Sequence, residues 1–434
     1  MDPYYELAYA LESKSLCMFV GTGFSMHITN LKAPNWLNLL KECAKHIEDG
    51  DKLIEQLFPN NKPVMPLEEC ASIIQVKLHS EGKCLHTEIA KIIRKLKLGK
   101  VTDNLKKFVG DFPNLKFITT NYDLLIEKEL LKDKESTTYS IGYPVNRQPK
   151  GVQIYHVHGS IKHPKKMVVT ADDYFRFINR PDYFSKKVQT LIEENTTVII
   201  GYSLGDINFR AILNNQRSNR IHDINRQNLF FLSRSKVDQN VKDYYDRSYG
   251  LRVIDNTEID DFISEILDKH NEIKDRVAKS RNLLMRVLEG KKRFTDVYLK
   301  KGDSFFEIVA TLSSNGILIS HPDVITFLKD VLKRKDNFTS ENGAWIQYVH
   351  LAKWLIHLGS IMDIKGTSLE EVYLSAVDTS FGNMSKKQIY GRSWDAFTAW
   401  KKSWYSLTYD NRQMVIEYFK ENYISDDGKE VINQ

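Results

Sequence analysis

Cysteine is scarce in this 434-residue chain. There are four, Cys17, Cys43, Cys70 and Cys84, all within the first 84 positions and none in a CxxC pair. That spacing argues against a secreted disulfide framework and against a zinc ribbon. Long apolar runs are lacking too. LCMFV and TVII fall far short of the ~20 residues that span a bilayer. With 11 prolines and 21 glycines, the chain is not of low complexity. A strong excess of one charge is also missing: 62 Lys+Arg stand against 56 Asp+Glu, and residues 261–434 carry 25 against 24. That is not the charge of a dedicated nucleic-acid binder, so direct nucleic-acid binding is not supported. The short basic clusters at 291–293 and 333–335 read as solvated helix ends. The opening stretch, MDPYYELAYALESK, is acidic and polar and does not read as a signal peptide. The expectation is a reduced, cytoplasmic protein with no membrane segment.

What is present is the balance of a globular protein, 42% apolar and 27% charged. The length suggests two or three domains of ~150 residues. Over the first ~255 residues, short β-type runs at 16–20, 116–119, 152–157, 196–200, 228–232 and 251–254 alternate with helical periodicity. Buried apolar strands separated by helices predict an α/β fold with a doubly wound, mostly parallel, Rossmann-like sheet. A helical insertion is expected at about 50–100, where no strand signal intervenes. From about residue 256 helical runs dominate, and five of the six tryptophans lie there. The shift divides the chain into 1–255 and a second, mainly α-helical domain, 256–434, with the boundary inside 256–295. Trp394, Phe397, Trp400 and Trp404 share one helical face and read as core. Asp410 and Gln413 suggest a capping box for the next helix.

Four motifs sit at the C-terminal ends of expected parallel strands, where open α/β sheets bind ligands. Gly21-Thr22-Gly23-Phe24-Ser25 follows the first strand. Its glycines permit a tight turn, and its free N–H groups suit an anion. It lacks the third glycine of a dinucleotide fingerprint, and alone it is equally a plain βα turn. Thr119-Thr120-Asn121-Tyr122-Asp123 offers an amide suited to ribose hydroxyls or a water, and an acid that either faces a ligand or caps a helix. His156-Val157-His158-Gly159 places two imidazoles two residues apart at the end of the strand, pointing to the same face. One of them suits proton transfer, and His156 reads as the structural one. No acid or cysteine stands at a metal-ligand spacing, so no metal is expected. Gly201-Tyr202-Ser203-Leu204-Gly205-Asp206 repeats the small-residue turn and is by itself equally a capped βα turn.

The ordered set GTGFS, TTNYD, HVHG and GYSLGD resembles the sirtuin family, specifically the divergent sirtuin-like domains of bacterial and archaeal antiviral defence proteins, over roughly residues 10–255. The resemblance implies a sirtuin-like NAD-binding domain. Gly21, Thr22, Gly23 and Ser25 would form the pyrophosphate loop. Asn121 would lie near the nicotinamide ribose and Asp123 at the nicotinamide pocket, with Thr120 also among the cofactor-binding residues. His158 would be the catalytic histidine. Gly201, Ser203 and Asp206 would take the adenosine side, and Ser233 would stand near the adenine ribose. Two departures count against acyl-lysine chemistry. Ala33-Pro34-Asn35-Trp36 stands where deacetylating sirtuins carry GIPDFR, and no cysteine follows Cys84 to build their zinc module.

The resemblance therefore implies hydrolysis of NAD+, as substrate, to nicotinamide and ADP-ribose by an effector of anti-phage defence that depletes the cell's NAD+ when activated. The alternatives are an NAD-dependent protein deacylase and a non-catalytic NAD or ADP-ribose sensor or scaffold. The class implies a homo-oligomer, with a HerA-type motor ATPase or a phage-derived activator as partner. The helical part would serve oligomerisation, regulation or docking.

Overall fold

The computed structural model describes residues 3–143, 146, 148–179, 183–203 and 229–434. Seven strands form one sheet: β1 (Leu16–Val20), β2 (Lys116–Thr119), β3 (Ser136–Ser140), β4 (Val152–His156), β5 (Thr196–Ile200), β6 (Leu229–Leu232) and β7 (Arg252–Ile254). Their order is β3-β4-β2-β1-β5-β6-β7 and every pairing is parallel. The fold is thus the doubly wound α/β sheet that the alternating pattern predicts, followed by a helical C-terminal region.

Alternation along the strands explains why both faces are covered. Met18, Val20, Phe117, Ile154, Val198 and Phe230 face the helices Pro3–Glu12, Asp103–Asp111 and Ile259–Leu288. Cys17, Phe19, Ile118, Tyr155, Ile199 and Phe231 face Tyr183–Glu194 and Gln239–Tyr249. A strand buried on both sides reads as a continuous apolar run, as LCMFV does. β3, like β7, is an edge strand, and it pairs only with β4. Its sequence, STTYS, is mostly half-buried and has no apolar run to betray it.

The helical insertion starts earlier than about residue 50. Helices Trp36–Ala44, Gly50–Leu57, Leu67–Ser80 and Leu85–Ile93 form a small body with its own core, around Leu40, Ile74, Leu78 and Ile89. Tyr122, Ile161 and Met167 also enter that core and tie it to the loops beyond β2 and β4.

The 30-residue helix Ile259–Leu288 is about 45 Å long. Its first turns supply Phe262, Ile263 and Ile266 to the sheet core. Its middle, at Ile273 and Val277, packs on Ala8, Tyr9 and Ala310. Its last turns bring Leu284 to the core of the C-terminal helices. The composition shift near 256 therefore falls at the start of a helix shared by both parts. Among the described residues, no helix is long and apolar enough to cross a membrane.

Two expectations for the C-terminal helices need correction. Trp400 and Trp404 are buried, but Trp394 is 48% exposed, because it opens its helix and lies beyond the packed turns. The cap of Tyr409–Glu421 is Thr408, whose side chain accepts from Asn411 N; Asp410 is already inside the helix.

Candidate functional site

The chain runs from β4 across β1 to β5, so the winding direction changes beside β1. The C-terminal ends of β1, β2, β4 and β5 meet there, and open α/β sheets hold their ligands at such a switch point.

Two cavities open at this place. One, of about 510 Å³, is lined by Thr22, Gly23, Ser25, Trp36, Thr120, Asn121, Asp123, His158, Tyr174, Gly201, Tyr202 and Ser203, among others. The second, of about 500 Å³, is lined by Met26, Leu31, Ser233, Arg234, Thr257 and Glu258, among others. Gly23, Met26, Gly201, Tyr202 and Ser203 wall both, so the two lobes meet at the glycine turns.

The turns after β1 and β5 close on each other. Gly21 N donates to Ile200 O at 2.8 Å, Gly23 N to Gly201 O at 2.9 Å, and Phe24 N to Gly21 O at 3.0 Å. Three N–H groups expected to be open to an anion are thereby engaged inside the turn. The glycines serve the close approach instead. A Cβ on Gly23 would lie 2.7 Å from Gly201 Cα, and one on Gly201, whose φ is +75°, would lie 2.3 Å from Phe24 N.

Beyond β2 the backbone enters a polar network. Thr119 Oγ1 donates to Val20 O and accepts from Asn121 N, which fixes the turn. Asn121 Nδ2 then donates to Gly21 O and to Ser25 Oγ, both at 2.8 Å. Ser25 Oγ donates to Asp123 Oδ2 at 2.7 Å, and Asp123 Oδ1 accepts from Leu125 N at 3.1 Å. Asp123 thus faces the network and holds the N–H of Leu125, the residue that precedes the single π-type turn Ile126–Leu130. Burial pushes its carboxyl above the usual range, against the pull of the Ser25 hydroxyl and the Leu125 N–H. Thr120 Oγ1 lies 2.6 Å from the Tyr202 hydroxyl and joins this wall to the β5 turn.

The two histidines separate. β4 ends at His156, so strand alternation does not carry to residue 158, and the same-face expectation fails. Both nitrogens of His156 are occupied: Nδ1 lies 3.1 Å from Asn121 O and Nε2 lies 2.9 Å from Glu127 Oε1. Burial opposes its protonation, but Glu127 outweighs burial and holds the imidazole pKa above its ordinary value. His158 instead packs edge-on against Tyr174 and Phe177, each 5.3 Å away between ring centres, and lines the first cavity. Burial alone pushes its pKa down to about 4, so the ring is neutral at physiological pH.

Of the remaining anticipated residues, Ser233 lies in the second cavity and donates to Ser235 O at 2.7 Å. Asp206 lies outside the described residues. Sequence reasoning missed Glu127, Tyr202 and Tyr174. Glu127 follows Asp123 by one helical turn, and that spacing was its only signal. The pairing of Tyr202 and Thr120 has no local signature at all. Among the described residues, no group of three or more His, Cys, Asp or Glu side chains is placed to hold a metal ion.

A two-lobed crevice at the switch point of a doubly wound parallel sheet is where α/β proteins of this class hold their ligands. Residues 115–254 match the SIR2-like domain family, in line with the resemblance carried by the four motifs. The chain is 25% identical over 234 residues to the NAD(+) hydrolase ThsA of Bacillus cereus, covering 50% of this chain and 44% of that protein. It is 26% identical over 281 residues to defense-associated sirtuin 2 of Bacillus subtilis, covering 63% and 26%. It is 24% identical over 249 residues to the NAD(+) hydrolase ThsA of Cytobacillus dafuensis, covering 56% and 46%. The chain thus spans less than half the length of these curated relatives.

Proposed function

We propose that this protein hydrolyses NAD+ to nicotinamide and ADP-ribose and acts as an effector of anti-phage defence. The observation that carries the reading is that Asn121 and His158, from the segments that follow β2 and β4, wall one cavity, which adjoins a second at the Gly23–Gly201 seam. A dinucleotide needs two such lobes joined where its pyrophosphate crosses the sheet. Each lobe is within the size range of small-molecule sites. The names of the relatives support the same chemistry.

The bond to break joins a cationic pyridinium to the ribose anomeric carbon, so departure needs no general acid. Charge builds on the sugar as in glycoside hydrolysis, and fixed dipoles aimed at it lower the barrier. Asn121 lines the cavity with its Nδ2 doubly held and its Oδ1 3.5 Å from Thr22 Oγ1, so the amide is oriented before any ligand arrives. It orients the ribose and a water. The His158 imidazole, neutral and without a hydrogen bond to a described residue, accepts a proton through a ribose hydroxyl. A base of this kind contributes about 10²–10⁴-fold. Residues 256–434 serve oligomerisation, regulation or docking in this reading, with a motor ATPase or a phage component as candidate partners.

The test is incubation of the purified full chain with NAD+, alone and with candidate activators, followed by product identification. Asn121→Ala and His158→Ala should abolish nicotinamide release while retaining the parent's circular dichroism. NAD+ binding without nicotinamide release under every condition would replace hydrolysis with a sensor role. Acetylated ADP-ribose formed from an acetyl-lysine peptide would replace it with deacylation.

A further inference from the structure

The helical insertion holds a second constellation of reactive side chains that the cleft does not use. Cys84 occupies the N-cap position of helix Leu85–Ile93 and is half-buried. Its Sγ lies 3.9 Å from His86 Nδ1, and the other ring nitrogen, Nε2, lies 3.1 Å from Asp173 Oδ2. Asp173 is itself fixed: it accepts from Thr170 N at 2.9 Å and Thr170 Oγ1 at 2.8 Å, and it pairs with Arg176 at 2.7 Å. Thiol, imidazole and carboxylate therefore stand in the order nucleophile, base, orienter.

The other three cysteines are buried without such partners. Burial pushes Cys17 and Cys43 up to about 12. At Cys84 burial also opposes the thiolate, but the N–H groups of Thr87 and His86 and the His86 ring outweigh it and hold the thiol below its ordinary value. A helix N-terminus adds partial positive charge of the right sign. Burial likewise opposes the His86 imidazolium, and Asp173 overcomes it, raising the pKa. The nearby Lys83 is paired with Glu81, and Glu88, further along the same helix, with His46 and Lys91.

We propose that Cys84, His86 and Asp173 form a reactive thiolate site that takes hydroperoxides and soft electrophiles, making Cys84 the position at which this chain is covalently modified. With a hydroperoxide, the sulfur attacks the terminal oxygen. An S–O bond forms as the O–O bond breaks, and sulfur loses two electrons to the peroxide. The leaving oxyanion takes the proton of the His86 imidazolium, giving sulfenic acid and an alcohol or water. Asp173 belongs to helix Ala171–Asn179, whose Tyr174 and Phe177 pack on His158. The proposal does not depend on NAD+ turnover.

The test uses the folded full chain. Iodoacetamide labelling is followed at each cysteine by peptide mass spectrometry across pH 5–10, and hydrogen peroxide treatment is followed by trapping with dimedone. At neutral pH Cys84 should react roughly tenfold faster than an ordinary exposed thiol, and the dimedone adduct should sit on Cys84. In His86→Gln, which keeps a polar donor, the inflection of the Cys84 pH–rate curve should move up toward the ordinary thiol value. Asp173→Asn should move it the same way. A purely structural role for His86 would leave that inflection in place. An ordinary inflection at Cys84 in the folded parent, or no dimedone adduct there, would overturn the proposal.

Discussion

Ser25 Oγ stands between two residues brought from another strand, accepting from Asn121 Nδ2 at 2.8 Å and donating to Asp123 Oδ2 at 2.7 Å. One hydroxyl thus orients the amide proposed to hold the ribose and satisfies a buried carboxylate. Ser25→Ala removes both. A buried acceptor left without its donor costs about 1–3 kcal/mol. Chemical denaturation should show a loss of that size, and nicotinamide release should fall along with it. The coupling is checked by a double-mutant cycle with Asp123→Asn. If the hydroxyl acts through Asp123, the two losses will not add. Additive losses would separate them.

The glycine seam makes a sharper steric prediction. Gly201→Ala places a methyl 2.3 Å from Phe24 N on a backbone with φ +75°, so it meets strain and a clash with main chain that has no rotamer to change. Gly290 has φ +68° and open space around its Cβ position. Gly290→Ala should therefore cost only the conformational part, ~1–2 kcal/mol, while Gly201→Ala costs more and disrupts ligand binding. Thermal melts of the two variants, with NAD+ titration, check the contrast. Equal melting points would mean the seam is looser than its geometry.

Glu127 closes the back of the site. Its Oε1 pairs with His156 Nε2, while Oε2 is buried with no hydrogen-bond partner among the described residues. His156 in turn holds Asn121 O. Glu127→Ala leaves a buried imidazole that has lost its counter-charge, and breaking a buried pair from one side costs about 3–5 kcal/mol. Glu127→Gln keeps a hydrogen-bond partner and should recover part of that loss. Urea midpoints of the two variants decide it. A Gln variant no more stable than Ala would show that charge, and not the hydrogen bond, fixes His156.

Much of this was legible in the sequence, and the parts that were not have physical reasons. Six of the seven strands announce themselves as short β-branched or aromatic runs, with β1, β5 and β6 buried throughout. β3 does not, because an edge strand of Ser and Thr looks like loop. The four motifs locate the crevice because strand ends converge by topology alone. The engagement of the Gly21 and Gly23 N–H groups was not legible. It depends on two turns, 180 residues apart in the chain, meeting in space. The division of labour between His156 and His158 was half legible: residue type suggested one structural ring, but only the end of β4 re-aims the second. Thr408, rather than Asp410, caps its helix because the helix begins two residues earlier than a cap at the acid would place it.

The burial of His158 carries a pH dependence of definite sign. Its folded pKa is pushed down to about 4, against about 6.5 in an unfolded chain. Between those values the unfolded state binds a proton that the folded state refuses, so acid draws the equilibrium toward unfolding. The contribution is zero above the unfolded value and grows as pH falls, reaching about 3 kcal/mol of destabilisation near pH 4. Other groups titrate in the same window with both signs. His156 and His86, whose folded values are raised, favour the folded state as pH falls. Asp173, held low chiefly by its hydrogen bonds to His86 and Thr170 against the pull of burial, loses stability only in stronger acid. A comparison of variants isolates the term. His158→Gln cannot take up the proton, so relative to the parent it should gain stability steadily from pH 6.5 down to pH 4, whatever its offset at pH 7. Urea unfolding of both proteins at half-unit steps measures that difference. A difference independent of pH would mean that the imidazole is not held neutral by burial, and its proposed role as a proton acceptor would fall with it.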